Sequence, residues 1–108
     1  MRVAVASSDG KVVNQHFGRA TRFLIFELER DGDFKYITTR ENVPPCSGGE
    51  HDPVLLNNTV NLLSDCQAVL VSQIGPGAEK LLLAKGIKAM QRPNFIEAAL
   101  RYYSRHRK

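Results

Sequence analysis

Residues 2–7 (Arg2-Val3-Ala4-Val5-Ala6-Ser7) form a short, apolar, valine-containing run. That pattern predicts a strand buried on both faces. The stretch from Ser8 to Ala20 is polar and punctuated by glycine, and reads as loop. Arg22–Glu29 is aromatic and β-branched, which predicts a second strand. Asp31-Gly32 is a hairpin turn signal, and Phe34–Arg40 alternates as a third, half-exposed strand. Pro44 to Asp52 reads as loop again.

Asp52 followed by Pro53 predicts a helix start. The carboxylate can cap the first amides, and proline at the first position forgoes an N–H that has no partner there anyway. Leu55, Leu56, Val60 and Leu63 follow at helical spacing. Ala68–Ser72 predicts another buried strand. Pro76–Lys85 predicts a helix with Ala78, Leu81 and Leu82 inward and Gly86 as its stop. Ile87–Met90 is a short last strand. Asn94 with Glu97 predicts a capping box. The final helix then carries Phe95, Ile96, Ala99, Leu100 and Tyr103 on its inner face.

The order is βββαβαβα. The first connection holds no helix, which makes the second strand antiparallel to the first; the Asp31-Gly32 turn makes the third antiparallel to the second, and helical crossovers make the fourth and fifth parallel to the first. The predicted fold is α/β: a five-stranded mixed sheet of order 3-2-1-4-5, with helices on both faces. In this arrangement strands one, three, four and five end at the same edge. The loops after strands one, three and four carry His16, Cys46 with His51, and Ile74-Gly75-Pro76-Gly77. Open α/β sheets bind ligands beyond the carboxyl ends of their parallel strands.

The chain's 108 residues fit one domain, residues 1–108, with one core. Apolar content of 43% and charged content of 24% are those of a soluble globular protein. No apolar run approaches the roughly 20 residues needed to span a bilayer, and Met1–Ala6 lacks signal-peptide anatomy. A cytoplasmic location is expected. The net charge of +4 is a property of the tail. Arg101, Arg105, Arg107 and Lys108 lie in the last eight residues, and setting them aside leaves 11 basic against 11 acidic residues. That tail is either a solvated helix end suited to the helix dipole or a contact for an anionic ligand or partner. Nucleic-acid binding ranks last among the readings.

The chemistry-bearing residues are few. His16 stands in Gln15-His16-Phe17-Gly18-Arg19-Ala20, where an imidazole on a glycine-flexed loop either reaches a metal or hydrogen-bonds its own loop. Phe17 reads as a plug anchoring that loop. Arg19 is a surface residue or faces an anion. Cys46 and His51 are separated by four residues, within the range of a metal-binding pair. Thiolate and imidazole are donors that iron, zinc or an iron–sulfur cluster selects. With His16 they would give three protein ligands, few enough for exchange. Free amides at Gly75 and Gly77 beside a helix N-terminus favour an anion, and a tight turn explains the same glycines. This stretch is neither a Walker loop nor G-x-G-x-x-G. Cys66 precedes an apolar run and reads as a small packing residue. The predicted strands hold no acidic set for two-metal nuclease chemistry, and no Ser-His-Asp order with an elbow motif appears.

These residues also carry a resemblance. Val3-Ala4-Val5-Ala6-Ser7-Ser8-Asp9-Gly10, then Val13-Asn14-Gln15-His16-Phe17-Gly18-Arg19-Ala20, resembles the dinitrogenase iron–molybdenum cofactor biosynthesis family. Cys46-Ser47-Gly48-Gly49, Leu63-Ser64-Asp65-Cys66-Gln67-Ala68-Val69-Leu70-Val71, Ile74-Gly75 and Gly86-Ile87 are similar to the C-terminal accessory domain of the nitrogenase radical-SAM cofactor-assembly protein. The resemblance implies a ribonuclease-H-like fold. It also implies binding of an anionic iron–sulfur cluster precursor or of iron–molybdenum cofactor as cargo, and delivery to cofactor-assembly or nitrogenase-type acceptor proteins. His16 matches the family's histidine associated with cofactor binding, while Cys46 and His51 fall in a more variable loop. The chain lacks the radical-SAM domain and its C-x-x-x-C-x-x-C ligands, so it is not expected to synthesise a cluster.

The expectation is therefore a non-enzymatic carrier or chaperone in nitrogen fixation or a related pathway, a monomer or weak homodimer that binds no membrane. His16, Cys46 and His51 are the expected metal ligands, and Arg19, Gly75 and Gly77 offset the cluster's charge. The rival readings are a protein-interaction or regulatory module without cargo and an enzyme with a Cys46 nucleophile.

Overall fold

The computed structural model describes the backbone of residues 1–47 and 50–106, and the side chains of residues 1–45 and 52–106. The main sheet contains β1 (Arg2–Ala6), β2 (Arg22–Leu28), β3 (Phe34–Glu41), β6 (Ala68–Val71) and β7 (Lys88–Gln91). Their order is β3-β2-β1-β6-β7, the predicted 3-2-1-4-5. β1 pairs antiparallel with β2 and parallel with β6; β2 pairs antiparallel with β3, and β6 parallel with β7. Between them, β4 (Cys46–Ser47) and β5 (Glu50–His51) form a separate two-stranded ladder inside the segment expected to be loop.

The period-two alternation of strands divides the core into two layers. Ala4, Ala6, Phe23, Ile25, Val69 and Val71 face one side. There they meet Leu56, Val60 and Leu63 of and just beyond α1 (Pro53–Leu62) and Leu82 of α2 (Pro76–Ala84). Val3, Val5, Leu24, Phe26, Leu28, Ala68 and Leu70 face the other side. That side is covered by Ile96, Ala99, Leu100 and Tyr103 of α3 (Ile96–His106). β1 and β6 are buried on both faces because helices cover both. β3 is an edge strand and is largely exposed, with a bulge at Ile37 where Ile25 pairs with Thr38 and Phe26 with Tyr36.

Local chemistry ends the elements where the sequence indicated. Asp52 Oδ1 accepts the Val54 and Leu55 amides at 2.9 and 3.3 Å and caps α1. Gly86, at φ 78°, takes the left-handed conformation that follows α2. Three details differ from the sequence reading. Asn94 Oδ1 accepts the Phe95 amide at 2.8 Å and Glu97 binds Arg101 at 3.1 Å, so neither makes the capping-box exchange. Phe95 is 65% exposed, because its backbone pairs antiparallel with Val12 and the helix begins one residue later. Leu81 is 38% exposed, because α2 packs over β7, beyond which no further strand lies among the described residues.

Candidate functional site

The loop between β1 and β2 is fastened at almost every turn. Asp9 Oδ1 accepts the amides of Lys11 (2.8 Å) and Val12 (3.1 Å), which hold its carboxyl below the usual carboxylate range. The Ala6 carbonyl accepts from Asn14 (3.3 Å) and Gln15 (3.4 Å). The Asn14 side chain exchanges two hydrogen bonds with Ser8, at 2.9 and 3.0 Å. The Gln15 side chain does the same with Thr21, at 3.3 Å each.

Beyond these latches the chain runs beside the end of β6. Ser72 N–H donates to Gln15 O (3.0 Å) and Phe17 N–H to Gln73 O (2.9 Å), and His16 bridges Gln73 in parallel register. Phe17 is fully buried, its ring 6.0 Å from that of Phe23. It is the plug the sequence suggested. A single 3₁₀ turn, Phe17–Arg19, follows, with Arg19 N–H donating to His16 O at 3.0 Å.

With Phe17 inserted, its neighbours His16 and Arg19 are left at the surface. The His16 ring makes no hydrogen bond among the described residues, so the loop does not use it as a structural fastener. The Arg19 guanidinium has no carboxylate partner among them either. Both line a cavity of about 620 Å³ together with Gly18, Leu56, Gln73 and the Ile74–Ala78 turn. That volume lies within the roughly 300–1,000 Å³ of small-molecule and cofactor sites.

Gly75 and Gly77 form the opposite wall. Gly75 is the N-cap of α2 in extended conformation, and Pro76 occupies the first helical position. The amides of a helix's first turn have no intrahelical acceptor and attract negative charge. A Cβ added at either glycine meets nothing within 4 Å, so the turn does not need glycine for space. Ile74 N–H donates to Gln91 Oε1 at 3.2 Å, fixing the wall to β7.

Cys46 and His51 have side chains outside the described residues. Their backbones pair directly in the β4–β5 ladder. β4 lies within 8 Å, Cα to Cα, of the Phe17–Arg19 turn. The Asp52 amide closes the base of this ladder by donating to Pro45 O at 2.9 Å. Asn42, just before it, ties three elements together. Its Nδ2 donates to Ala20 O (2.9 Å), its N–H donates to Thr21 O (2.9 Å), and its Oδ1 accepts from Thr59 Oγ1 of α1 (3.1 Å). Asn42, Gln73 and Leu56 were not predicted as site residues. Gln73 carried the available signal, since it directly precedes Ile74-Gly75 at the carboxyl end of a parallel strand. Among the described residues no three His, Cys, Asp or Glu side chains gather as a metal-binding group.

An open mixed sheet with a cofactor-sized groove at its carboxyl edge defines a class of α/β folds. Within it, this chain belongs to the family described as dinitrogenase iron-molybdenum cofactor, whose model matches residues 1–106. It is 36% identical over 98 residues to the FeMo cofactor biosynthesis protein NifB of Chlorobaculum tepidum, covering 91% of this chain and 22% of that protein. It is 39% identical over 101 residues to NifB of Frankia alni, covering 91% of this chain and 20% of that protein. Against protein NifX of Sinorhizobium fredii the identity is 34% over 92 residues, covering 79% and 56%. The chain thus spans about a fifth of the length of these NifB relatives. Two solved structures share the fold at 24% identity. One is the crystal structure of PH0822 (TM-score 0.71; 96% of this chain and 90% of that one). The other is the NMR structure of the Thermotoga protein TM1290 (TM-score 0.61; 98% and 89%).

Proposed function

We propose that this chain is a non-enzymatic carrier or chaperone for an iron–sulfur-type metallocluster in iron–molybdenum cofactor biosynthesis or a related pathway. The cargo is a cluster precursor or the cofactor itself. The sheet order fits the ribonuclease-H-like motif, with the cargo groove beyond the carboxyl ends of its parallel strands. His16 ligates iron at the cluster's exposed end. Cys46 and His51 supply a thiolate and an auxiliary imidazole from the neighbouring ladder. Arg19 and the amides at Gly75 and Gly77 offset the cluster's negative charge. A small ligand set permits hand-off to an acceptor protein of the assembly pathway or of a nitrogenase type.

The observation that carries this reading is the meeting of His16, Arg19, Gly75 and Gly77 around one 620 Å³ groove, in a chain of this family. The four come from two segments some sixty positions apart, and the imidazole has no hydrogen bond of its own among the described residues. The donor chemistry fits a thiophilic, anionic cargo.

The test is anaerobic reconstitution with ferrous iron and sulfide, followed by visible absorption and iron analysis. The parent protein is expected to gain a charge-transfer spectrum and stoichiometric iron. His16→Ala and Cys46→Ala are each expected to retain markedly less. If both variants load like the parent, the site assignment fails. A parent that stays colourless and melts unchanged would instead favour an interaction module without cargo.

A further inference from the structure

A second cavity lies on the other layer of the molecule, between α3 and the chain that leaves β7. Its volume is about 370 Å³, and Arg92, Asn94, Ala98, Arg101, Tyr102 and Arg105 line it. We propose that this groove docks an acidic, extended segment of a partner protein.

Three guanidinium groups define it, and the structure holds two of them in place. Arg92 lies over the Tyr102 ring, its Cζ 3.3 Å from the centroid. His106 stacks on the same ring at 4.1 Å and 21°, so the two occupy opposite faces of the tyrosine. His106 is tied in turn by Nδ1 to Tyr102 O at 2.9 Å. Arg101 is steadied by Glu97 at 3.1 and 3.3 Å. Arg92 and Arg105 have no carboxylate partner among the described residues. A stacked guanidinium keeps its N–H edge directed outward, and its rotamers are already restricted before any ligand arrives.

The spacing selects the ligand. Arg101 and Arg105 are one helical turn apart, about 6 Å along the axis at roughly 1.5 Å per residue. Alternate side chains of an extended peptide repeat at about 6.7 Å. Carboxylates at every second position of a strand-like segment therefore match this pair, and Arg92 adds a third contact at one end. Phe95, 65% exposed next to Asn94, offers the aromatic anchor that accompanies arginine at protein interfaces. β7 is an edge strand, pairing on one side only with β6, so an extended partner can lie alongside it. The groove packs on the α3 layer, whereas the His16 groove involves α1 and α2. A docked partner would leave the His16 side open.

The test is an NMR titration of the ¹⁵N-labelled full chain with a hexaglutamate peptide, with inorganic phosphate added at matched ionic strength in a parallel sample. The peptide is expected to shift the amides of residues 92–105. Arg92→Gln with Arg105→Gln is expected to weaken binding about tenfold, the scale of two exposed charge pairs. Arg107→Ala with Lys108→Ala should change it by less than about twofold. Arg105→Glu, at an exposed position, should abolish binding, and it replaces the double variant as the probe if that one does not fold. The proposal is overturned if phosphate reproduces the shifts, if the tail variant loses as much affinity as the groove variant, or if the shifts centre on His16.

Discussion

Burial makes Cys66 a packing residue. It is 4% exposed within the α1–α2 layer, and burial, reinforced by the charge of Asp65, pushes its thiol up to about 12. At neutral pH almost none of it is thiolate, and thiolate is both the nucleophile and the metal ligand. Iodoacetamide at about pH 8 is therefore expected to leave Cys66 unmodified in the folded protein and to label it only in denaturant, as read by peptide mass spectrometry. Native-state labelling of Cys66 at the rate of a free thiol would contradict its place in the core. Cys66, His16 and Phe17 also show how far single residues could be read. Cys66 announced its role through the apolar run after it. His16 and Phe17 are adjacent; the sequence suggested that Phe17 plugs the core and left His16 either reaching a metal or bonding its own loop. It could not show that the His16 ring makes no hydrogen bond among the described residues, because that depends on where the Asn14 and Gln15 side chains bond.

The loops owe their positions to amide side chains. Asn42 joins the exit of β3 to the loop after His16 and to Thr59 of α1 by bonds of 2.9 and 3.1 Å. Replacing it with alanine leaves the buried Thr59 hydroxyl its 3.0 Å bond to Leu55 O but strips the Ala20 carbonyl of the Asn42 amide. Asn42→Ala is expected to cost about 1–2 kcal/mol in urea unfolding and, under the function proposed above, to lower cluster loading beyond what its loss of stability explains. Normal loading with full stability would show that the latch is dispensable. The strands, their order and the starts and stops of α1 and α2 were legible because each rests on local chemistry: alternation, Asp52-Pro53, Gly86. The start of α3 was not. Helical spacing counted Phe95 inward, but Phe95 bridges Val12 in antiparallel register, with Val13 N–H donating to Asn94 O and Ile96 N–H to Lys11 O, each at 2.9 Å. That pairing is long-range, and no local pattern announces it. The groove lining was half legible for the same reason. The loop signals named His16, Arg19, Gly75 and Gly77, while Leu56 joins them only through the packing of α1 on the sheet.

At the scale of the molecule, an ion cluster ties two strands of the sheet to the end of α1. Asp65, in the turn between α1 and β6, receives Arg40 of β3 through two bonds of 2.7 and 2.8 Å and Arg2 of β1 at 2.7 Å. Arg40 also donates to Leu62 O at the end of α1, at 2.8 Å. The edge strand, the central strand and a helix end thus share one carboxylate. The bidentate bond from Arg40 is the main cause holding the Asp65 carboxyl far below its usual 3.8, with Arg2 adding to it against the penalty of partial burial. A carboxyl whose folded pKa is depressed stabilises the native state fully above its unfolded value and loses that contribution as pH falls toward the folded one. The Glu27 carboxyl, lowered by its hydrogen bond with the N-terminal ammonium, acts in the same direction. Stability is therefore expected to hold from neutral pH down to about 5 and to fall progressively below about 4. Asp65→Asn should cost about 1–2 kcal/mol at neutral pH, since the cluster is only partly shielded from solvent. It should also flatten the acid limb, so that the gap between parent and variant narrows progressively as pH falls below about 4, followed by urea midpoints across the range. A variant as stable as the parent at neutral pH would show that the shared carboxylate does not bind these three elements together. A variant whose acid limb keeps the parent's slope would assign the pH dependence to other carboxyls.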